Sequence, residues 1–327
     1  MKAIVYDEYG PPDVLRLADV ETPAPTDDQI RIKVRAVSIN GSDRENLIGK
    51  PLYARMSGLR KPGHPILGSD IAGYVESVGK NHTEFKVGDE VFGELPGYHG
   101  GFAEYACTDG HTLALKPAGL TFEQAAAIPQ AGAIALRGIC EKGNVQPGQQ
   151  VLINGGGGSA GSFAIQLAKL SEAEVTGVDN AHKLDFMRTL GADHVIDYAQ
   201  ADFTQSGKQY DLILDVIAHR SAFAYPRVLR PNGAYFFTGG SIPVLLQILL
   251  LGPLIKWRTG KNVRMLVAPQ NRTDSMAISK LCESGQITPA IDKQFSLPEV
   301  PQAFRYINEG RAKGKVVITV DGFPPAK

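Results

Sequence analysis

The chain has 327 residues, and its 34 Lys and Arg residues balance 34 Asp and Glu residues, so its formal net charge is zero. At ~150 residues per domain, this length predicts two domains. A neutral chain has no net positive charge to attract a phosphate backbone, which argues against nucleic-acid binding as the main role. The hydrophobic share of 43% and the charged share of 21% are typical of a globular protein and exclude a disordered chain.

The three cysteines, Cys107, Cys140 and Cys282, lie far apart and form no CxxC pair. This spacing excludes a zinc ribbon and argues against a disulfide framework. The first residues, MKAIVYDEYG, show no basic segment followed by an apolar one, so no secretory signal is visible. We therefore expect a reduced protein in the cytoplasm.

Up to about residue 120, the sequence predicts a small β-rich domain made of short strands separated by Gly and Pro turns. The strand runs are 30–39, 70–79, 89–93 and 101–107. From Thr121 the chain becomes rich in Ala and helix formers, and Thr121 and Gln124 have the spacing of a helix capping box.

After Pro147 and Gly148, apolar runs alternate with amphipathic segments of helix length. Buried strands that alternate with crossover helices predict a doubly wound parallel sheet. The apolar runs are 150–154, 174–179, 194–198, 211–216 and 234–240, with a sixth strand expected at 263–269.

The last part of the chain leaves this pattern. The sequence of this last part predicts helices at 273–284 and 300–308 and strands at 287–295 and 314–320. A closing strand so far from the alternating block is expected to rejoin the first domain. The predicted fold class is α/β, with a Rossmann-type dinucleotide-binding domain, 123–267, inserted into a discontinuous β-rich domain, 1–122 plus 268–327.

One segment, 242–255, is almost entirely apolar. It is shorter than the ~20 residues of a spanning helix and contains Pro243, Gly252 and Pro253. We favour a buried helix or a subunit contact. A lid over a substrate and a contact with a membrane surface are the alternatives.

A glycine-rich loop carries the clearest chemical signal. Gly156, Gly158 and Gly161 form a GxGxxG motif that follows a predicted strand and opens a helix, and Asp179 ends the next strand. This context is that of the dinucleotide fingerprint, in which a pyrophosphate binds at a helix N-terminus. Asp179 favours NAD(H) because such a carboxylate binds ribose hydroxyls and repels a 2′-phosphate. Asn180, His182 and Lys183 follow at once and could bind that phosphate, so both NAD(H) and NADP(H) stay open.

Several long blocks in order resemble the medium-chain dehydrogenase/reductase superfamily, in particular the zinc-free quinone oxidoreductase branch that includes zeta-crystallin. The blocks are the glycine-rich loop, 38–43, 64–79, 85–93, 100–106, 190–198 and 314–320. The resemblance covers nearly the whole chain. It implies that the β-rich domain is GroES-like, that the protein is a homodimer and that NADP(H) is the favoured cofactor.

Zinc-dependent members of this superfamily hold a catalytic metal with Cys and His ligands. Matching the motifs places those positions on Asn40, Ser69 and Gln130, and none of these residues is a usual zinc ligand. The resemblance therefore implies an oxidoreductase without metal. Without a Lewis acid, a substrate must carry its own electron sink, which a quinone or an α,β-unsaturated carbonyl does.

The resemblance also implies roles for individual residues. We expect Asn40 to bond the nicotinamide edge through its amide, with a turn residue as the alternative. We expect Asp43 to orient its loop rather than transfer protons, with a helix cap as the alternative, and Tyr53 to pack or to donate to the substrate. Lys313 and Lys315 are further cofactor candidates, with solvated surface as the alternative. The other implied cofactor contacts are Ser159, Ala160, Tyr198, Val216, Ile217, Thr238 and Gly239.

Two other functions remain open. The first is a cofactor-binding sensor or assembly protein with little activity, which the apolar segment 242–255 and Ile134, where the family often has Thr, would support. The second is an enoyl-thioester reductase, which would need a basic stripe for the phosphates of CoA or a carrier. A small-molecule substrate is the expected partner in the favoured case, and membrane contact through 242–255 is the less favoured addition.

Overall fold

The structure, a computed structural model, describes residues 1–320 and divides the chain into two compact units. Of the described residues, unit 1 comprises 1–130, 270–285 and 291–320, and unit 2 comprises Ala131–Pro269 and Gln286–Ala290. The fold is α/β, as predicted. The first regular element begins at Lys2, and the last described one ends at Thr319.

The strands are β1 (Lys2–Val5), β2 (Arg16–Asp19), β3 (Ile30–Ser38), β4 (Asp70–Val78), β5 (Glu90–Glu94), β6 (Tyr105–Thr108), β7 (Leu113–Leu115), β8 (Gln150–Asn154), β9 (Glu174–Asp179), β10 (His194–Asp197), β11 (Tyr210–Asp215), β12 (Leu229–Phe237), β13 (Asn262–Met265), β14 (Ile291–Ser296) and β15 (Lys315–Thr319). The α-helices are α1 (Gly41–Ile48), α2 (Phe122–Ala126), α3 (Pro129–Leu136), α4 (Ser159–Leu170), α5 (Leu184–Thr189), α6 (Ile242–Thr259), α7 (Arg272–Glu283) and α8 (Val300–Asn308).

Unit 1 is built on a seven-stranded sheet in the order β14-β15-β3-β4-β5-β7, with β6 also paired to β3. Its neighbours are antiparallel except for β14 and β15. Along β3, Ile30, Ile32 and Val34 are buried at every second position, which is the alternation of a strand with one face in the core. The late strand β15 joins β3, as the sequence predicted.

Unit 2 holds a six-stranded parallel sheet in the order β10-β9-β8-β11-β12-β13. Its inner strands are apolar on both faces, as parallel strands covered by helices usually are. The chain runs outward from β8 through β9 to β10 and then returns to the other side of β8 with β11. Ligands bind at such a reversal point, beyond the carboxyl ends of the strands.

The predicted boundaries after residues 122 and 267 differ slightly from those of the structure. Residues 123–130 stay with unit 1 because α2 packs on β3, β4 and β5. The division falls inside α3, between Gln130 and Ala131. A short return segment, 286–290, lies with unit 2, where the Thr288 N–H donates to Gln166 at 2.8 Å.

The apolar segment forms most of α6, and only one of its faces is buried. Val244, Ile248 and Ile255 face the core of unit 2, whereas a row of leucines on the opposite face is exposed. The sequence favoured a buried helix or a subunit contact, and the structure shows a helix buried on one side. Within residues 1–320, α6 is the one helix whose length and composition would suffice to cross a membrane, a test that core helices also pass.

Candidate active site

The glycine-rich loop of unit 2 links β8 to α4 at the reversal point of the sheet. It is packed too tightly for side chains at some positions, because a Cβ on Gly161 would lie 2.1 Å from the Gly155 oxygen. Gly155 itself has a φ of 82°, a conformation that glycine adopts readily. The loop thus brings backbone close to the N-terminus of α4, where helix N–H groups without intrahelical acceptors attract a phosphate.

Asp179, at the end of β9, is built into this loop. One carboxylate oxygen accepts the Gly157 N–H at 3.0 Å, and the other accepts the Asn180 N–H at 2.9 Å. The Lys183 ammonium lies 3.5 Å from the same carboxylate, and both side chains are buried. Asp179 therefore orients the phosphate loop, and Lys183 partly offsets its negative charge.

The other predicted cofactor contacts of unit 2 meet at the same edge of the sheet. The Tyr198 N–H donates to the Asp179 carbonyl at 3.1 Å, and the Val216 N–H donates to the Asn154 carbonyl at 3.1 Å. Thr238 donates to the Asp215 carbonyl from both its N–H, at 3.0 Å, and its hydroxyl, at 3.2 Å. Ser159 and Ala160 are the first residues of α4, and Ile217 and Gly239 directly follow Val216 and Thr238. This edge combines backbone donors, a helix N-terminus and one cation, which are groups suited to a dinucleotide.

A buried carboxylate that the sequence did not single out fixes this edge. Asp215 accepts the Asn154 amide at 2.7 Å, the Tyr235 hydroxyl at 2.9 Å and the Ile217 N–H at 3.2 Å. Burial raises the pKa of Asp215, and these hydrogen bonds oppose the rise. The carboxylate joins the ends of β8, β11 and β12, so it is a positioning residue for the loops that follow those strands.

The polar centre of unit 1 is a fully buried lysine. Lys315, on β15, is 0% exposed, and its ammonium donates to Asn40 Oδ1 at 2.6 Å and to the Ile39 carbonyl at 3.4 Å. The nearest carboxylate oxygen belongs to Asp70, at 3.7 Å. Burial lowers the pKa of Lys315, and the surrounding carboxyls oppose this effect.

Three buried carboxyls surround this cation. Asp43 accepts the Asn40 N–H at 2.7 Å and the Gly68 N–H at 3.0 Å. Asp70 accepts the backbone N–H of Gln130 at 3.1 Å, and the side chain of the same glutamine donates to Glu94 at 2.9 Å. Burial raises all three pKa values, that of Asp43 to about 7 and that of Glu94 to about 8. The cluster therefore retains protons that exposed carboxyls would lose near neutral pH.

The structure brings two of the three predicted catalytic residues together. Asn40 and Asp43 lie at the start of α1 inside the cluster, whereas Tyr53 is half-exposed and donates its hydroxyl to Glu45 at 2.8 Å. Burial, followed by Glu45, raises the pKa of Tyr53. The buried hydroxyl of Ser69 makes no hydrogen bond within residues 1–320. The buried Asn40 side chain interacts with the Asp70 carboxyl and lowers its pKa, in opposition to burial.

Comparison with known proteins gives a consistent result. The family model described as alcohol dehydrogenase GroES-like domain matches residues 26–118, and that described as zinc-binding dehydrogenase matches residues 190–318. The chain is 33% identical to 2-methylene-furan-3-one reductase of Solanum lycopersicum, over 97% of this chain and 79% of that protein. The chain belongs to the medium-chain dehydrogenase/reductase superfamily.

Further relatives place the chain in the quinone oxidoreductase branch of that superfamily. It is 31% identical to the chloroplastic NADPH-dependent alkenal/one oxidoreductase of Arabidopsis thaliana, over 97% of this chain and 79% of that protein. The solved quinone oxidoreductase of Coxiella burnetii is 29% identical and superposes with a TM-score of 0.89, over 98% of this chain and 99% of that one. The predictions of the family, of the fold class and of an enzyme are confirmed.

The donor groups of unit 1 do not fit a zinc centre. Asn40, Ser69 and Gln130 offer amides and a hydroxyl, whereas protein-bound zinc takes thiolate, imidazole or carboxylate ligands. Within residues 1–320, no group of three or more His, Cys, Asp or Glu side chains could hold a metal ion. The Asn40 oxygen is already bonded to the Lys315 ammonium.

Proposed function

We propose that this medium-chain dehydrogenase/reductase transfers hydride from NAD(P)H to a quinone or an α,β-unsaturated carbonyl and that it does so without zinc. The observation that carries the proposal is the Lys315 ammonium bonded to Asn40 at a position where zinc-dependent members place a metal ligand. The names of the relatives, an enone reductase and a quinone oxidoreductase among them, support the substrate class.

The bound nicotinamide supplies the hydride. The glycine-rich loop and the N-terminus of α4 bind the pyrophosphate, and Asp179 holds that loop through the Gly157 N–H. In unit 1, Lys315 fixes the orientation of the Asn40 amide by bonding its oxygen, and the other end of the amide interacts with the Asp70 carboxyl. We assign to this oriented amide the positioning of a carbonyl or carboxamide oxygen.

The carboxyl cluster retains protons beside that amide. An enolate or phenolate formed by hydride addition needs a proton, and Glu94 holds one at its carboxyl up to a pH of about 8. Gln130 connects the Glu94 carboxyl to the Asp70 carboxylate through its side chain and its backbone N–H. The cluster thereby stores a proton inside unit 1 without a metal.

We propose NADPH as the preferred cofactor. Asp179 alone would repel a 2′-phosphate, but its two oxygens are engaged by backbone N–H groups and the Lys183 ammonium lies 3.5 Å away. His182 follows Asn180 in the same turn and adds a second group able to bind phosphate. The named cofactor of the Arabidopsis relative, NADPH, supports this choice.

The deciding experiment follows the oxidation of NADPH and NADH by the purified protein with a panel of small quinones, enals and enones. We expect turnover with at least one class of acceptor, unchanged by chelators. The absence of turnover with every acceptor, despite cofactor binding seen by calorimetry, would contradict the proposal and favour a sensor or assembly role.

An Asn40→Ala variant should lower kcat/KM by roughly 10- to 100-fold. Asn81→Ala, whose amide pairs with Asp28 on the surface, is the matched control.

We also propose that the protein is a cytoplasmic homodimer, on the basis of the family resemblance and of its cysteine content. Sedimentation of the full chain tests the homodimer, since a monomer at micromolar concentration would contradict it. Cell fractionation tests the location. Neither result bears on the reaction.

A further inference from the structure

The face of α6 that points away from unit 2 is apolar and exposed. It consists of Leu246, Leu249, Leu250, Leu254 and Trp257, which we call the outer face. At about 100° per residue these five side chains form one stripe along the helix. Leu250 is 76% exposed and Trp257 is 83% exposed, so the stripe is open to solvent along its length.

The opposite face holds α6 firmly on the sheet. Val244, Ile248 and Ile255 are buried, and a Cβ on Gly252 would lie only 2.3 Å from the Val263 oxygen of β13. This close approach fixes which side of the helix faces out. At 18 residues, or about 27 Å, and packed along one side, α6 lies on unit 2 rather than across a membrane.

Basic residues accompany the outer face. A set of four residues, which we call the basic cluster, lies at the end of α6, in the turn after it and on β13: Lys256, Arg258, Lys261 and Arg264. Lys256 and Arg258 project about a quarter turn to either side of the outer face, where long cationic side chains can reach lipid headgroups.

This part of the chain is unlike the rest in charge. From residue 216 to residue 273 the sequence contains eight Lys and Arg residues and no Asp or Glu, whereas the whole chain is neutral. The nearest acidic residues in sequence are Asp215, which is buried, and Asp274, which is buried in α7. Three of the eight, Arg220, Arg230 and Arg272, pair with carboxylates that lie outside this stretch. The remaining positive charge beside the exposed leucines is mainly that of the basic cluster.

A neighbouring loop extends the apolar surface. Gln247 of α6 accepts the Ala222 N–H at 3.0 Å and the Ser221 hydroxyl at 3.2 Å. These bonds anchor the loop that carries Phe223, which is exposed. The surface thus has two exposed aromatic side chains, Phe223 and Trp257, a feature typical of segments that lie at a membrane interface.

We propose that α6 binds the surface of a bilayer containing anionic lipids, with its outer face at the acyl boundary and the basic cluster among the headgroups. Charge complementarity selects this partner. A second copy placed against the same face would bring two basic clusters together, which is unfavourable. A neutral apolar partner would leave the charges of the cluster without a counterpart. The proposal is independent of the reductase activity.

The chain contains one tryptophan, Trp257, and it lies in the outer face. We therefore propose to titrate the full-length protein with vesicles of phosphatidylcholine alone and of phosphatidylcholine with phosphatidylglycerol. With the anionic vesicles, we expect a blue shift of the tryptophan emission, quenching by lipids brominated near the headgroup, and co-flotation. Binding to the neutral vesicles should be much weaker. Since one basic residue near an anionic surface contributes about a fivefold gain in partitioning, Lys256→Gln with Arg258→Gln should weaken binding about 25-fold.

Matched variants separate the two parts of the surface. Leu250→Glu with Leu254→Glu should abolish the blue shift, whereas Val87→Glu, a change at an exposed turn of unit 1, should not. Lys142→Gln with Lys280→Gln removes two exposed charges outside the surface and should leave binding unchanged. Circular dichroism and cofactor binding confirm that each variant is folded.

Three results would overturn the proposal. The first is no binding to anionic vesicles. The second is binding that the outer-face and basic-cluster variants leave unchanged. The third is concentration-dependent self-association in sedimentation that Leu250→Glu removes, without vesicle binding, which would assign the face to a second copy of the chain.

Discussion

The two polar sites of the molecule are built in opposite ways. The candidate dinucleotide site lies at the carboxyl ends of the strands of unit 2. It uses backbone groups and side chains from short stretches that directly follow those strands, and Asp179 and the glycine-rich loop are its clearest parts. The cluster of unit 1 uses side chains from five distant places, Asn40, Asp70, Glu94, Gln130 and Lys315. A backbone site tolerates changes of side chain and fails when the chain path changes. A buried charge cluster instead fails when one of its side chains is replaced, because each charged member compensates another.

The largest expected effect comes from removing the cation of the cluster. Lys315→Met leaves Asp70 and its neighbours buried without a positive partner, so we expect the free energy of unfolding to fall by about 3–5 kcal/mol. Urea denaturation measures this change in the free energy of unfolding. The loss should shrink as the pH falls, because burial raises the pKa values of these carboxyls and protonation removes the charge that Lys315 compensates. Lys313→Met is the control, since Lys313 is only partly buried, and an equal loss in both variants would contradict the assigned role.

The matching change in unit 2 alters the backbone path. A Cβ on Gly161 would meet the Gly155 oxygen at 2.1 Å, so Gly161→Ala should cost about 1–3 kcal/mol of stability and abolish measurable cofactor binding. Calorimetry with NADPH and urea denaturation give the two quantities. Gly207→Ala, in an exposed turn with no atom within 4 Å of the added carbon, is the control for cofactor binding. Retained binding in Gly161→Ala would show that the loop does not hold the cofactor.

The next effect concerns pH. Glu94, buried and facing Asp70 and Asp43, has its pKa raised to about 8, so the folded state binds more protons than the unfolded state between about pH 4.5 and pH 8. Stability must then fall as pH rises through this window, by up to about 1.4 kcal/mol per pH unit for one proton. Glu94→Gln keeps an acceptor for Gln130 and should flatten this slope. An unchanged slope would mean that Glu94 does not hold the proton.

A smaller effect is expected for the charge pair beside the phosphate loop. Asp179→Ser removes a negative charge and should shift the ratio of NADPH to NADH affinity toward NADPH by roughly tenfold. Lys183→Met should shift the same ratio toward NADH by a similar factor. Calorimetric titration of each variant with both cofactors measures the shift. Equal ratios in both variants and in the natural protein would show that this pair does not bind the ribose phosphate.

The smallest effect is expected at Tyr53. Its hydroxyl bonds Glu45 at a half-exposed position, so Tyr53→Phe should change the free energy of unfolding by less than about 1 kcal/mol. We expect kcat/KM for quinones and enones to stay within about twofold. A large rise in KM for the acceptor alone, absent in Glu45→Gln, would instead make Tyr53 a substrate contact.

The contrast between the two sites also explains what could be predicted from the sequence. The parallel sheet, the glycine-rich loop and Asp179 were predictable because their signals are contiguous and periodic. Glu94 was not, since its place opposite Asp70 depends on the register between β4 and β5. For Lys315 the sequence predicted a cofactor contact or solvated surface, although a lysine in the apolar run of β15 was the available signal of a buried cation. The exposure of one side of α6 could not be predicted either, because apolar residues on both faces of the helix do not indicate which face is buried.

The position of Lys315 near the end of the chain has a consequence for synthesis on the ribosome. The carboxyls at 43, 70 and 94 and the amide at 130 leave the ribosome well before the lysine that compensates them. At about 5–20 residues per second, the delay between Gln130 and Lys315 is roughly ten to forty seconds. During that time unit 2, most of which is one continuous segment, can form its sheet, whereas the sheet of unit 1 still lacks β15. The three carboxyls of unit 1 have to stay hydrated or protonated until then, so the arrival of β15 is what allows the interior of unit 1 to close.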